Sequence, residues 1–381
     1  MTAVRDVVEI RRELHSHPEL AYHEKRTTEL LVDRLRGLGL EPEVLPAGTG
    51  VHCDIGSADG PLIALRADID ALPIADQKNV SYRSTVDGVC HGCGHDAHTA
   101  ILLSAAGELA ARDLDGRVRL IFQPAEETVP GGATAAIAAG VLDGVQQIYA
   151  LHCDPRIETG SIGLRTGAIT AACDQVRIAF SGPGGHTARP HLTADLVYAI
   201  GRVITDLPGL LSRRVDPRSG VSIVWGSVDA GRAANAIPMN GTLVGTLRVL
   251  DREAWRSAEP LVRSLVDELV APTGVTAEVD YARGVPPVMN ASRAVDVQRA
   301  AVLATLGNNG LVSTEQSMGA EDFAWYLESV PGALARLGVR APGGAAFDLH
   351  QGTFDIDENA LEVGVRYTVA LAEQALKDTA G

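Results

Sequence analysis

The middle of the sequence contains a complete set of elements for a small domain, and this feature constrains the fold most strongly. Across residues 174–286 a strand, an amphipathic helix, two strands, a helix with an Asp cap and a closing strand follow one another as DQVRIAFSG, TADLVYAIGRVITDLPGLLSRR, GVSIVWGSVDAG, NGTLVGTLRVL, DREAWRSAEPLVRSLVDELVAPTG and VTAEVDYARG. This βαββαβ order is typical of a ferredoxin-like α+β domain. We therefore predict a domain inserted at 174–286.

The residues on either side of this segment show a different pattern. Short β runs and helical segments alternate, for example in PLIALRADID, in the stretch from about His98 to Arg112 and in RVRLIFQPAEE. Such alternation favours an α/β fold with a mixed, mostly parallel sheet flanked by helices. A chain of 381 residues is also too long for one ordinary core. We predict a discontinuous domain of residues 1–173 and 287–381 that the insert interrupts.

The composition of the chain excludes two broad classes of function. A net charge of −15 and an isoelectric point near 5.2 disfavour binding to nucleic acids or anionic membranes, which requires clustered Lys and Arg. The N-terminal segment lacks the apolar core of a signal peptide, and no apolar run is long enough to span a bilayer. The five cysteines do not form the dense framework of a small secreted domain. We predict a cytoplasmic protein whose thiols are available as ligands.

The segment GVCHGCGHDAHTA at residues 88–100 concentrates cysteines and histidines. Cys93 and His95 are separated by one residue in a Gly-containing loop, so both side chains can turn to the same side. Cys90 and Cys93 form a CxxC pair, but a zinc ribbon would need a second such pair, and the sequence has none. A thioredoxin-like redox pair is an alternative, although such a pair normally lies at a strand-to-helix junction early in a small βαβ unit.

Two adjacent carboxylates follow the apolar strand in LIFQPAEE. In an extended backbone the side chains of Glu126 and Glu127 point to opposite sides, so one can bind metal while the other takes a proton from water. The alternative is a pair of solvated acids in a loop. His152 lies at a similar strand end in YALHCDP, and His350 precedes a loop and the last helix. The candidate metal ligands are Cys93, His95, Glu127, His152 and His350. This mixed set suits two divalent ions better than one structural ion.

The motifs occur in an order that resembles a known enzyme family. They are RRELHSHPELAYHEKRT, LRADIDALPI, CHGCGHDAHTA, IFQPAEE, SGPGGHTARPH, MGAEDFAWYL and LHQGTFDIDENAL. Together they resemble the M20 metallopeptidase family. Within it they are most similar to the amidohydrolase branch, subfamily D, which holds N-acyl-amino-acid amidohydrolases, hippurate hydrolases and plant hydrolases of auxin–amino acid conjugates. The resemblance covers essentially the whole chain.

The resemblance implies a role for each candidate residue. The five donors fall on metal-ligand positions, which implies two divalent ions per subunit, with zinc first and manganese, cobalt or nickel as alternatives. Glu126 falls on the general base. His186 in GPGGHTARP falls on a histidine that reaches from the small domain of one subunit into the active site of the other. Asn235 in AANAIP matches a position that meets substrate. The resemblance also implies a homodimer formed through the inserted domain, which acts as a lid.

These residues predict a dinuclear metal hydrolase that cleaves the amide bond of an N-acyl amino acid. Glu126 would take the proton of a metal-activated water and give it to the leaving amine. The metals and His186 would stabilise the oxyanion. Asp68 in RADID would hold a ligand histidine in its metal-binding tautomer, and its alternative role is to cap the next turn. A dipeptidase or an N-carbamoyl amino acid hydrolase would use the same site, and a non-catalytic paralogue is a further alternative.

Overall fold

The computed structural model describes residues 3–56 and 60–380. Residues 1–2, 57–59 and 381 of the expected larger domain lie outside the described part. The helices are α1 (Ala3–Ser16), α2 (Lys25–Gly37), α3 (His95–Ala110), α4 (Ala133–Ala138), α5 (Leu196–Arg214), α6 (Arg252–Val270), α7 (Ser292–Leu306), α8 (Ala324–Leu327) and α9 (Asn359–Ala380). The strands are β1 (Glu43–Val44), β2 (Val51–Gly56), β3 (Leu62–Asp68), β4 (Arg117–Gln123), β5 (Gln147–Glu158), β6 (Ile162–Leu164), β7 (Gly167–Ala168), β8 (Ala172–Ser181), β9 (Gly185–His186), β10 (Ser222–Ala230), β11 (Ala236–Ile237), β12 (Asn240–Val249), β13 (Thr276–Val285), β14 (Met289–Asn290), β15 (Leu311–Ser313) and β16 (Gly332–Arg340). Across these described ranges, no helix combines the length and the apolar character needed to cross a bilayer.

The described chain divides into two compact units. The larger unit consists of the chain up to Ile169, of Val288–Glu315 and of the chain from Asp322 onward. The smaller unit consists of Thr170–Pro287 and Gln316–Glu321. The sequence pattern predicts one continuous insert, whereas the smaller unit also takes in the short second segment.

The larger unit is built on a mixed sheet with the strand order β1-β2-β4-β3-β5-β16-β6-β15. In the described residues, four of its seven neighbouring pairs are parallel, namely β4–β3, β3–β5, β5–β16 and β6–β15. The pairs β1–β2, β2–β4 and β16–β6 are antiparallel. The predicted α/β class with a mixed sheet is therefore confirmed.

Apolar clusters cover both faces of the central strand β3. Ile63 and Leu65 belong to a cluster with α1, α2, α3, α7 and α9, and the alternate residues Leu62 and Ala64 belong to a second cluster with α4 and α8. Every residue of β3 is buried. This explains why LIALRAD lacks the polar alternation of a half-exposed strand.

The parallel strands bring distant parts of the chain to one edge of the sheet. Because β4, β3 and β5 are neighbours and run parallel, their carboxyl ends point to the same side, where open α/β sheets place their ligands. β3 ends at Asp68, and β4 ends at Gln123, directly before the segment Pro124–Glu127. His152 lies within β5. The strand order of the sheet therefore brings the predicted site segments close to one another.

Apart from the short strands β9 and β11, which pair with each other, the elements of the smaller unit follow a βαββαβ order. Its sheet is antiparallel throughout, with the strand order β10-β12-β8-β13. The helices α5 and α6 begin after Asp195 and Asp251, and each of these side chains accepts a backbone N–H of the first helical turn. Asp174 on β8 is buried and accepts hydrogen bonds from Trp255 and Tyr281, which ties α6 and β13 to the sheet.

Because β16 packs closely against β5, adding one methyl group at the start of β16 should destabilise the protein. A Cβ added to Gly332, the first residue of β16, would lie 2.0 Å from the backbone oxygen of Ile148 on β5. Because that carbonyl cannot move without distorting the ladder, Gly332→Ala should lower the free energy of unfolding by about 1–3 kcal/mol. At Gly37, the last residue of α2, no described atom lies within 4 Å of an added Cβ. Gly37→Ala should therefore change the free energy of unfolding by less than about 0.5 kcal/mol. Denaturant unfolding measures both, and equal stability of the two variants would contradict this packing.

Candidate active site

The first candidate side chains lie on the turn that leads into α3. Gly94 precedes the helix with a φ of 90°, a conformation that glycine adopts without strain. A Cβ added to Gly94 would lie 3.1 Å from the side chain of Cys153. The turn places Cys93 before the helix and His95 as its first residue, and both are buried. The helix thus begins at His95, earlier than the predicted start near His98.

Hydrogen bonds to Asp70 fix the orientation of the His95 ring. Nδ1 of His95 lies 2.9 Å from the backbone oxygen of Asp70 and 3.2 Å from its Oδ1. Nδ1 therefore carries the proton and donates, which leaves the lone pair that a metal needs on Nε2. Nε2 is buried and has no hydrogen-bond partner among the described residues.

Cys93 and His152 meet beside His95. Sγ of Cys93 lies 3.6 Å from Nε2 of His152. Nδ1 of His152 lies 2.8 Å from the backbone oxygen of Cys153, so Nε2 faces the thiol with its lone pair. Burial raises the pKa of the Cys93 thiol well above its usual value and lowers that of His152 well below. A thiol in such surroundings ionises readily only beside a cation.

The loop after β4 brings two carboxylates to the same place. Oε2 of Glu126 and Oε1 of Glu127 lie 3.9 Å and 3.8 Å from Nε2 of His95. The sequence pattern predicts an extended backbone with these side chains on opposite sides. Instead Ala125 has a φ of 58° and reverses the chain, and a turn follows. This turn is the reason that both carboxylates approach one ring.

His350 reaches the same place from a late part of the chain. Its backbone N–H donates to the oxygen of Gly92 at 2.8 Å, and its φ is 61°. Nε2 of His350 lies 3.3 Å from Oε1 of Glu127, and this contact raises the pKa of His350. The side chain of His350 is 52% exposed, so it marks an open side of the cluster.

The predicted donor atoms form two groups that share one sulfur. One group is Cys93, His95 and His152, and the other is Cys93, Glu127 and His350. Within each group the potential ligand atoms lie within 4.8 Å of one another. The structure therefore brings all five candidate ligands together, with Cys93 common to both groups.

Two observations fit cations at this cluster. Nε2 of His95 is buried without a hydrogen-bond partner in the described chain, which is a costly state for a polar atom. Burial lowers the pKa of His95, but its acidic neighbours, Asp68 first, outweigh this effect and raise that pKa well above its usual value. The cluster thus concentrates negative charge that a cation would neutralise, and sulfur, nitrogen and carboxylate donors suit borderline divalent ions.

Asp68 lies beside the cluster but makes its hydrogen bonds elsewhere. Its Oδ1 lies 2.6 Å from Nδ1 of His98, and its Oδ2 accepts from Arg66 at 2.7 Å. Nε2 of His98 in turn accepts the N–H of Cys153. Oδ2 of Asp68 is 3.7 Å from Nε2 of His95. The histidine that Asp68 orients is therefore His98, which is not one of the five candidate ligands.

Asp70 makes the orienting contact that the sequence analysis assigned to Asp68. Besides its contacts to His95, its Oδ2 accepts the backbone N–H of Glu127 at 2.9 Å. One side chain thus links the two donor groups. The available signal is the Asp-x-Asp spacing in RADID, because alternate residues of an extended segment face the same side.

A buried salt-bridge network beneath the loop was also not predicted. Arg66 donates to Asp68 at 2.7 Å, to Gln123 at 2.9 Å and to Asp322 at 2.7 Å. The backbone N–H of Asp322 lies 3.4 Å from Oε1 of Glu126. The network fixes the ends of β3 and β4 and the position of the loop that follows β4.

His186 and Asn235 lie in the smaller unit. β9 pairs with β11 so that His186 is opposite Ala236. The backbone oxygen of Asn235 accepts the N–H of Thr187. Nδ1 of His186 accepts the N–H of Ala188 at 3.1 Å. The structure brings these two predicted residues together, on a different unit from the other predicted site residues.

Comparison with known proteins finds relatives that cover nearly all of this chain. A protein of Rhodococcus jostii (strain RHA1) that carries the name glutamate–cysteine ligase 2-3 is 51% identical over 377 residues, which are 99% of this chain and 47% of that protein. The chain thus spans about half the length of this relative. N-acetylcysteine deacetylase of Bacillus subtilis (strain 168) is 37% identical over 370 residues, 96% of each chain.

A solved structure shares the fold at similar coverage. The YXEP protein of Bacillus subtilis, described as a dinuclear metal-binding peptidase of the M20 family, matches with a TM-score of 0.87 and 35% identity over 98% of this chain and 99% of that chain. Residues 64–374 match the family described as Peptidase family M20/M25/M40. The resemblance carried by the sequence motifs is confirmed. This chain belongs to the M20/M25/M40 peptidase family and is a metal-dependent amidohydrolase.

Proposed function

We propose that this protein hydrolyses the amide bond of an N-acyl amino acid and releases a carboxylate and a free amino acid. The observation that carries the proposal is the position of Glu126. Its Oε2 lies 3.9 Å from Nε2 of His95, while Glu127 belongs to one of the two groups that share Cys93. Glu126 can also be grouped with His95 and Glu127, but neither of the two proposed ion sites needs it as a ligand. A carboxylate that lies beside the ions without completing either site has the place that a general base requires.

The five donors would hold two divalent ions per subunit. Cys93 would be common to both ions, His95 and His152 would complete one set, and Glu127 and His350 would complete the other. When bound, the ions supply the positive charge that makes water acidic enough to attack an amide at neutral pH. Zinc is our first candidate because thiolate, imidazole and carboxylate are its usual ligands. Manganese, cobalt and nickel also accept such a set.

The remaining site residues would handle protons and substrate. Glu126 would take the proton of the attacking water and deliver it to the leaving amine nitrogen, the usual two-way duty of one positioned carboxylate. His186 of the partner subunit would donate to the oxyanion that develops on the amide carbonyl. Asn235 would contact the substrate. Asp68 would act as a positioning residue through His98 and Arg66.

Derivatives of cysteine are the first substrates to test. The Bacillus subtilis relative is named for the deacetylation of N-acetylcysteine, and the name of the Rhodococcus jostii relative also contains cysteine. Hippurate, other N-acetyl amino acids, dipeptides and N-carbamoyl amino acids in the same assay would separate an aminoacylase from a dipeptidase or an N-carbamoyl hydrolase.

The smaller unit supports a proposed homodimer. β10 is an edge strand of its sheet, and its Val224 and Val228 are 65% and 56% exposed. On α5, Val197 and Tyr198 are 50% and 61% exposed. An uncovered edge strand that carries apolar side chains is a typical surface for pairing with another chain. We propose that a second copy of the smaller unit covers it.

The cysteines support a reducing compartment. All five are free, and four of them are buried. Cys93 must remain reduced to act as a ligand, because oxidation to a sulfinic or sulfonic acid is not readily reversed. We therefore propose that the protein works in the cytoplasm.

Replacing the proposed base should stop turnover without removing the metals. Glu126→Gln should lower kcat by about 100- to 10,000-fold, because an amide cannot accept the proton of water. Metal content, measured by plasma mass spectrometry, should equal that of the unchanged protein. Glu108→Gln, which neutralises a partly exposed acid of α3 that pairs with Arg112, is the control and should keep full activity. Equal turnover of Glu126→Gln and the unchanged protein would refute the base, and an unchanged protein inactive on every amide would refute the function.

Asp70→Asn should weaken metal binding. The substitution replaces one of the two carboxylate oxygens with an NH2 group, so only one of the side-chain contacts to His95 Nδ1 and to the Glu127 N–H can be kept, and the other donor then faces a second donor. Loss of such an outer contact typically lowers metal affinity by about 10- to 100-fold, which calorimetric titration of metal-free protein would measure. Asp54→Asn removes a carboxylate that pairs with Arg119 and should leave the affinity unchanged. Identical affinities for Asp70→Asn and the unchanged protein would contradict the assigned role of Asp70.

Charges on the edge strand should separate the proposed dimer. Light scattering coupled to size exclusion should give the unchanged protein twice the 39.9 kDa mass of one chain. The double variant Val224→Lys/Val228→Lys should give a single-chain mass, because two lysines on an edge strand oppose pairing. Leu303→Lys on α7, which is also an exposed apolar position, should remain a dimer. A monomeric unchanged protein would overturn the proposal.

A further inference from the structure

We propose that Glu24 is a positioning residue for the proposed base and for the ligand Glu127, because it holds the backbone at which the loop after β4 turns. This inference rests on the proposed function of Glu126 and Glu127. Glu24 lies in the motif AYHEKRT, far from both residues along the chain. Neither the composition nor the spacing of the motifs assigns it a role.

Glu24 lies in a corner of the chain at residues 19–24, which is attached to the segment that follows β3. Leu20 forms a parallel bridge with Ala71, and the N–H of Ala71 donates to the oxygen of Glu19 at 2.8 Å. The N–H of His23 donates back to the oxygen of Leu20 at 2.8 Å and closes the corner. The corner is therefore attached directly beside Asp70, the residue that orients His95.

Glu24 does not use its side chain to cap its own helix. It occupies the N-cap position of α2, where an acidic side chain would normally accept an N–H of the first turn, and it makes no such bond. Glu19 accepts the N–H groups of Arg26 and Thr27 instead, at 3.0 Å and 2.8 Å. The carboxylate of Glu24 is thereby free to serve another segment.

That segment is the turn at Ala125. Oε1 of Glu24 accepts the N–H of Ala125 at 2.9 Å, and both residues are fully buried. The oxygen of Ala125 accepts the N–H of Gly132 at 2.9 Å, so both polar groups of this residue are held. A left-handed backbone at a residue with a Cβ costs about 1 kcal/mol or more and persists only where its surroundings impose it. Glu24 supplies one of these restraints, immediately before Glu126.

Thr128 ties the far end of the loop back to the same turn. Its hydroxyl donates to the backbone oxygen of Ala125 at 3.2 Å, and that oxygen also accepts the N–H of Gly132. The two carboxylates therefore lie between Ala125, whose N–H is bound by Glu24, and Thr128, which is attached to Ala125.

Burying the carboxyl group of Glu24 at this position costs free energy. It raises the pKa of Glu24 to about 7, and the charge of Asp70 adds to this effect. Oε2 of Glu24 has no hydrogen-bond partner among the described residues. A side chain that only filled space would avoid this cost, because methionine has a similar length and no polar oxygen. An apolar side chain of the same length could not accept the hydrogen bond from the Ala125 N–H.

Two substitutions distinguish the role of the Glu24 side chain as a hydrogen-bond acceptor from its role in filling space. Glu24→Met keeps the length of the side chain and removes the acceptor, whereas Glu24→Gln keeps an acceptor oxygen. Glu19→Met is the matched control, because it removes another carboxylate of the same corner that accepts backbone N–H groups of α2. Kinetics on the best acyl amino acid, metal content, thermal unfolding and hydrogen exchange of the segment at residues 124–132 would be measured for each variant.

Glu24→Met should lower kcat by about 100-fold with little change in KM, because a small misplacement of a reacting group has this effect. Its segment at 124–132 should exchange about tenfold faster, since the Ala125 N–H has lost its partner. Glu24→Gln should restore both quantities to within about threefold of the unchanged protein. Glu19→Met should lower the melting temperature but leave kcat and the exchange of this segment unchanged.

Unchanged kcat and unchanged exchange in Glu24→Met would overturn the assignment. A Glu24→Gln variant as impaired as Glu24→Met would also overturn it, and so would a Glu19→Met variant with the same accelerated exchange. If the unchanged protein hydrolyses no amide, the proposed function fails. Exchange of the segment at 124–132 then decides the role of Glu24 without any activity measurement.

Discussion

Two oxygens of Asp70 receive the Nδ1–H of His95, at 2.9 Å and 3.2 Å, and this interaction decides which ring atom faces the donor cluster. With Nδ1 engaged, Nε2 keeps its lone pair toward Cys93, Glu126 and Glu127. The same carboxylate accepts the N–H of Glu127 at 2.9 Å. Asp70 therefore links the His95 ring to the loop after β4, which carries Glu126 and Glu127. Metal-binding histidines generally need such a partner to fix their tautomer.

The fold supports this interaction by bringing buried polar groups into mutual contact. On one side Arg66 joins the ends of β3 and β4 to Asp322. On the other side Arg11 and His15 of α1 bind Asp96, the neighbour of His95, at 2.8 Å and 2.6 Å. Buried ion pairs of this kind add little net stability compared with apolar packing. Their value here is geometric, because they hold α3 and the loop after β4 at fixed places around the donor atoms.

The sequence predicts much of this arrangement. The hydrophobic patterns predict the mixed α/β sheet and the βαββαβ order. An element that is buried on one face has apolar residues at regular spacing, and a strand that is buried on both faces is apolar along most of its length. The five donors are recognisable from their residue types and from motifs such as CHGCGHDAHTA and IFQPAEE. The turn at Ala125 is different, because a left-handed alanine has no local signal and depends on Glu24, which is distant in the chain. For Asp70 the Asp-x-Asp spacing indicates only that it lies on the same side as Asp68, and the three-dimensional register is needed to show that Asp70 faces His95 and Asp68 faces His98.

The proposed chemistry depends most on whether the five donors would hold two cations, with Cys93 common to both donor sets. Anomalous diffraction from crystals of the metal-loaded protein, recorded on both sides of the absorption edge of the bound element, measures this directly. Two anomalous peaks per subunit are expected, both within bonding distance of Sγ of Cys93, one beside His95 and His152 and the other beside Glu127 and His350. A single peak, or two peaks of which only one is bonded to Cys93, would contradict this proposal.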